Sequence, residues 1–253
     1  MHRLFAFLSV IVLLLPLNLF AQEQEEEPLP PRHAASKLGG GAGFTPFWLF
    51  FDPSPLNQVL GSANAAALAK GGMPLYGGQG YGYIMFLPNV RVGGMGASGS
   101  METKMLDGSN TLRDVQLSVG FGGVTIDYVA PITQRLDVTF GLLLGHGSME
   151  IIMTRDNGAP KVWDSLWTEY GSTNRAQNFT RKLTGSFFAY QPSVNLEYAV
   201  LRWLGVRVGV SYSGMAAASW KLDDTYDIFG VPDNISGKGL MINTGIFVGT
   251  FMF

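Results

Sequence analysis

The stretch whose residue types come nearest to acyl-transfer chemistry is Gly-His-Gly-Ser-Met-Glu, residues 145–150. His146, Ser148 and Glu150 occupy alternate positions, so in an extended strand they share one face. A base, a hydroxyl nucleophile and a carboxylate are the groups from which a serine hydrolase site is built. Alternate strand residues stand roughly 6–7 Å apart, so direct contact among the three requires twisting of the strand. The competing expectation is three polar side chains on the lumen face of a closed sheet. His2 and His33 fall in the N-terminal segments considered below, which leaves His146 as the histidine of the folded part.

Other candidate chemistry is weaker. Asp223, Asp224, Asp227 and Asp233 supply the oxygen donors that calcium prefers, but without EF-hand spacing, and read as a solvated acidic loop. Trp163 and Trp167 stand four apart in a long connection, suited to a partner, to lipid headgroups or to pinning the loop on a rim. Gly77–Ile84 is glycine-rich but does not match the dinucleotide fingerprint, and no metal or cofactor is called for. The absence of cysteine removes disulfides, thiolate zinc sites and cysteine nucleophiles. A net charge of −2 offers no basic footprint for nucleic acid.

The elements that must position these residues are strands. The chain has 33 glycines in 253 residues, 17 Phe and 9 Tyr, with only 14% charged residues, a composition suited to close-packed sheet. In 183–222 the even positions from Phe188 to Val200 and from Leu204 to Tyr212 are largely apolar. The odd positions include Gln191, Asn195, Glu197, Arg207 and Ser211. Two such strands joined at Leu201–Trp203 exceed the usual strand length of about five or six residues. They suit a membrane barrel whose apolar face meets lipid. Gln191, Asn195, Glu197 and Arg207 then point into the lumen, with Glu197 and Arg207 placed to pair across the hairpin.

In 113–130 and 135–154 the apolar parity switches near Gly122–Gly123 and Gly145–Gly147. A glycine β-bulge in each of two adjacent strands would invert the facing pattern there. Short turns near 88–89, 131–134 and 201–203 alternate with longer connections near 52–71, 104–112, 155–181 and 222–236. Strands are expected over roughly 40–51, 72–87, 90–103, 113–130, 135–154, 182–200, 203–221 and 238–253. The connection 52–71 carries a helix signal: Asp52 or Ser54 as cap, Pro53 or Pro55 in the first turn, and Ala65–Ala69 for propagation. That helix caps the mouth, lies on the membrane interface, enters the lumen or sits on the surface.

At the N-terminus, Arg3, an apolar core and Ala21 before a Glu-rich run read as a cleaved export signal, 1–21. Residues 22–36, with four Glu and three Pro, read as a disordered leader ahead of a barrel over 37–253. Taken together, these features resemble the small outer-membrane β-barrels of Gram-negative bacteria. The resemblance implies an eight-stranded antiparallel up-and-down transmembrane β-barrel, an outer-membrane location and both termini in the periplasm. It also implies outer-membrane lipid and the barrel-assembly machinery as partners, with Phe251 and Phe253 as the assembly signal. A filled interior follows from that size, and a structural or surface-interaction role is expected. A small pore or transporter is the alternative. The His146-x-Ser148 spacing resembles the outer-membrane lipid A deacylases, implying a lipid-acting hydrolase as a further alternative. In the last strand, Phe247, Phe251 and Phe253 are expected to face lipid, while Ile242, Ile246 and Val248 meet an apolar part of the interior.

Overall fold

A computed structural model describes residues 39–158, 162–171 and 178–251, with only the backbone described at 217 and 218. The export signal, the leader and Phe253 lie outside these residues. Ten strands and two helices are present among the described residues. They are β1 (Gly40–Phe44), β2 (Phe47–Phe51), α1 (Ser54–Ser62), β3 (Met73–Tyr83), β4 (Val90–Leu106) and β5 (Leu112–Pro131). β6 (Leu136–Asp156), α2 (Trp163–Tyr170), β7 (Phe179–Leu201), β8 (Leu204–Leu222), β9 (Tyr226–Asp227) and β10 (Gly239–Gly249) complete the order.

The sheet closes on itself as a ring of eight antiparallel strands. β1 and β2 are two halves of one strand, parted at Thr45–Pro46 where proline has no N–H for the ladder. Both halves pair with β10 on one side and β3 on the other. From β3 to β8 each strand pairs with the next, and β10 pairs with β8, which completes the circuit. The two-residue β9 only extends the tip of β8. Closure leaves no open edge in the ring, so no ladder is left to template aggregation. The turns expected to be short (84–89, 132–135 and 202–203), the start of β1 and the end of β10 share one end of the ring. The connections expected to be longer share the other, although 107–111 among them is no longer than 84–89.

Faces along β5 and β6 differ from expectation in an informative way. Pairing runs unbroken through Gly122↔His146 and Gly123↔Gly145, without a bulge. Val115, Leu117, Val119 and Phe121 are buried, and the same inward parity continues as Thr125, Asp127 and Val129. Val124, Ile126 and Tyr128 point outward and are exposed. The hydrophobic pattern inverts while the backbone does not: the interior is apolar toward the long connections and polar toward the short turns. A bulge does occur in the β7–β8 pair, between Ser186/Phe188 and Ser219/Ala216, with a second irregularity at the hairpin turn.

The apolar half of the interior is closed by α1. Its Leu56 and Leu60, with Leu68 beyond it, join Leu49, Met73, Leu117, Met149 and Met241 in one buried cluster. The side chain of Asn57 fastens the returning chain, donating from Nδ2 to Leu68 O and accepting from Leu68 N. Pro53 precedes the helix and Pro55 lies in its first turn. The alanines from 65 onward do not extend it; α1 stops at Ser62, and Asn64 adopts a positive φ of 51°. Asparagine tolerates that conformation better than most residues. The helix in the long connection after β6, α2, was not foreseen.

The last strand also departs from expectation. Ile242, Ile246 and Val248 are exposed on the outer face, whereas Phe247 is buried inside. Phe251 seats its ring over the inward Gly205, where a Cβ would come within 2.8 Å of it.

Candidate functional site

Two constellations carry polar chemistry, one inside the ring and one outside. Inside, toward the short turns, four charged side chains from four strands meet. Arg91 of β4 is fully buried; its Nε donates to Asp127 Oδ2 at 2.8 Å, and its Nη1 and Nη2 donate to Glu197 at 2.8 and 2.5 Å. Glu197 lies opposite Arg207 in the β7–β8 register, and Arg207 Nη2 stands 2.8 Å from Glu197 Oε1. The expected pairing across the hairpin is therefore present, and Thr139 Oγ1 adds a bond to the same oxygen at 3.1 Å. Arg207 Nη1 donates to Gln79 Oε1.

Aromatic faces complete the cage. The Arg91 guanidinium lies 3.9 Å from the Tyr81 ring centroid, and that of Arg207 lies 4.1 Å from Phe247. Above this layer Gln191 Nε2 donates to Ser211 Oγ at 2.9 Å, and Asn243 Nδ2 donates to Asn195 Oδ1 at 3.1 Å. Gln191, Asn195 and Arg207 are buried in this interior, and Glu197 joins them through Arg91 and Thr139. Arg91 and Asp127 were missed, although each interrupts an apolar run (Val-Arg-Val and Ile-Asp-Tyr), a signal that alternation alone could have exposed. Two cations against two carboxylates balance, which offsets the cost of burying them. Arg91 is hydrogen-bonded through all three guanidinium nitrogens, while Arg207 Nη2 meets Glu197 only as an ion pair and Arg207 Nε does not meet it. This is a packed, cross-linked floor.

Outside, His146, Ser148 and Glu150 share one face, but it is the outer surface and not the lumen. His146 is exposed, while Ser148 and Glu150 are half-buried. Among the described residues no hydrogen bond joins His146 to Ser148. Glu150 is committed elsewhere, with an oxygen 3.7 Å from Lys182 Nζ on β7. The register sets Gly96 beside Gly122 beside His146, and Ser98 beside Gly120 beside Ser148. With Tyr76 these residues line an open cleft of about 410 Å3. A Cβ added at Gly96, Gly120 or Gly122 would meet nothing nearer than 3.4 Å. Larger residues would fit there; glycine leaves the cleft floor bare.

The acidic loop is dispersed. Asp223 is bound by the Lys182 amide and by Arg181, which together hold its carboxyl below the usual range. Asp224 engages Lys182 and Thr184, with the same direction of shift and the lysine as its main cause. Trp163 and Trp167 lie on α2, which buries no residue. With Tyr170 they meet edge to face in sequence, ring centroids 5.7 and 6.2 Å apart, all three exposed.

No protein-family model matches the chain. A search of the curated proteins likewise gives no match. The solved structures to which the chain is similar include outer-membrane β-barrel proteins of Gram-negative bacteria. With Ail, the attachment invasion locus protein of Yersinia pestis, it shares 13% identity over 86% of this chain and 97% of that one, TM-score 0.33. With a major outer membrane protein from Thermus thermophilus it shares 6% identity over 84% and 98%, TM-score 0.45. With the outer membrane protease OmpT of Escherichia coli it shares 10% identity over 87% and 98%, TM-score 0.34.

Proposed function

We propose that this chain is an exported outer-membrane β-barrel with a structural or surface-interaction role. Its short turns and both chain termini face the periplasm, and its lumen is closed. The observation that carries this reading is the inversion of faces. On the β7–β8 hairpin the outward residues Val194, Leu196, Val206, Val208 and Val210 are exposed, whereas Asn195 and Arg207 behind them are buried. A water-surrounded ring would reverse that order. Leu204 to Tyr212 spans nine residues, which matches the ~9–11 of a tilted membrane-crossing strand. Tyr198 and Trp203 at one edge, with Tyr190 and Tyr212 at the other, stand where aromatic girdles belong.

Closure comes from two different plugs, the apolar one under α1 and the ionic one around Arg91. The exposed Trp163–Trp167–Tyr170 aromatic cluster at the long-connection end offers a surface for an extracellular partner. Full-length protein is expected in the outer-membrane fraction, with gel mobility that shifts on heating, and is expected to give no conductance steps in planar bilayers. A freely soluble periplasmic product would overturn the location; steady ion conductance would restore the pore alternative.

A lipid-acting hydrolase is the second reading, favoured by the outward placement of His146 and Ser148 in a glycine-floored cleft. There His146 would take the proton of the Ser148 hydroxyl as its oxygen bonds to the ester carbonyl carbon, and return it to the alcohol oxygen as the ester C–O bond breaks. Water then hydrolyses the acyl-serine to the free fatty acid, without a carboxylate to orient the imidazole. On that reading, incubation with lipopolysaccharide or phospholipid releases fatty acid, and His146→Ala abolishes the release. Mass analysis finding no released acyl chain at any pH ends this reading.

A further inference from the structure

We propose that the long-connection mouth of the ring contains a binding chamber for a small neutral aromatic or alicyclic molecule. The chamber is separate from the charged floor and from the His146 cleft. A cavity of about 420 Å3 lies between β6, β7, β8 and the chain preceding β10. That volume falls within the ~300–1,000 Å3 typical of small-molecule sites. Met149, Phe187 and Met215 form its buried wall, each no more than 5% exposed. Trp220 and Ile235 close it from the side and above.

The wall is built to keep the space open. A Cβ at Gly147 would come within 2.1 Å of the Phe187 ring, so that ring lies flat against bare backbone. Gly185 does the same for Trp220, whose ring would be 2.8 Å from a Cβ. The β-bulge opposite Phe187 falls in this wall, and bulges commonly re-aim side chains beside binding sites. Gly237 seats the covering loop directly on Met215, where a Cβ would lie 2.7 Å from the methyl.

Chemistry selects the ligand class. Two thioethers, a phenyl ring and an indole form a polarisable lining that adapts to aromatic and apolar bodies. The strand-borne wall carries no charge. Asp233 and Lys238 stand exposed at the rim, and neither forms an ion pair among the described residues. A neutral molecule enters without stripping a charge of water that no wall residue could replace.

The test uses the full chain in phosphatidylcholine nanodiscs titrated with N-phenyl-1-naphthylamine, with empty nanodiscs giving the bilayer uptake. A saturable component of one probe per chain is expected above that uptake. Ser236→Trp, which puts an indole into the chamber from the loop, should weaken it by about tenfold or more. Ile235→Trp repeats the block from a second position, and heat-shifted mobility verifies folding of each variant. The rim pair Asp233→Ala/Lys238→Ala should leave affinity within about threefold, as solvated charges contribute little. The anionic analogue 1-anilinonaphthalene-8-sulfonate should bind about tenfold more weakly. No saturable component in folded wild-type protein, or one that persists in both folded blocking variants, overturns the chamber. Equal or tighter binding of the anion overturns the neutral ligand class.

Discussion

Replacing Glu197 with alanine is expected to destabilise the ring by about 3–5 kcal/mol, the cost of leaving buried charge without its partner. Glu197 is the hub of the floor: it accepts two hydrogen bonds from Arg91, one from Thr139, and faces Arg207 at 2.8 Å. Without it two buried guanidinium groups share the single carboxylate of Asp127. The double variant Glu197→Ala/Arg207→Ala keeps Arg91 with Asp127 and restores charge balance, so it should be more stable than Glu197→Ala alone. Urea midpoints of the heat-shifted gel mobility, read through a double-mutant cycle, measure the coupling. If both variants fall equally, the charges do not act as a unit. If Glu197→Ala is neutral, the floor does not hold the strands together.

This floor and the hairpin that supplies half of it were legible in the sequence because β7 and β8 alternate strictly. Each position there needs only a parity to be placed. β5 and β6 mislead for a physical reason. The expectation of a bulge requires apolar residues to keep one side throughout, yet each strand passes through two surroundings. Toward the long connections, apolar Leu117 and Val119 face a dry interior. Toward the short turns, apolar Val124 and Ile126 face outward. The change of parity at Gly122–Gly123 reads as a bulge only if the solvent outside the ring is assumed constant. The same assumption sends His146 into the lumen and hides Arg91 and Asp127. In the last strand it also turns Phe247 outward and Ile246 inward.

The two zones also explain why one short helix suffices to close the mouth. Near the long connections the interior already has the apolar lining of a soluble core, so α1 needs only Leu56 and Leu60 to join it. Near the short turns no helix could do so, because the inward face is ionic and must satisfy itself. Helix signals within 52–71 were visible from Asp52 or Ser54, Pro53 or Pro55 and Ala65–Ala69, although only Ser54–Ser62 is helical. Their destination was not, since nothing local in that segment reports that the ring above β5 is apolar within.

Val208→Arg separates the membrane reading from a water-surrounded ring. Val208 lies in the middle of the outward stripe of β8, is 49% exposed, and faces away from the charged interior. In water an arginine there would be nearly neutral or favourable, since its head would be solvated at once. In a bilayer an arginine on the lipid face near the midplane costs about 2–4 kcal/mol. The comparison is Gln116→Arg, outward on β5 in the zone where the inner face is apolar, expected within about 0.5 kcal/mol of wild type. Folding into liposomes at graded urea should therefore show a lower midpoint for Val208→Arg alone. Equal midpoints for the two variants would remove lipid from the outer face. A specific loss at 208 identifies the stripe from Leu204 to Tyr212 as the surface that lipid covers, with the Arg207 side chain one residue away inside.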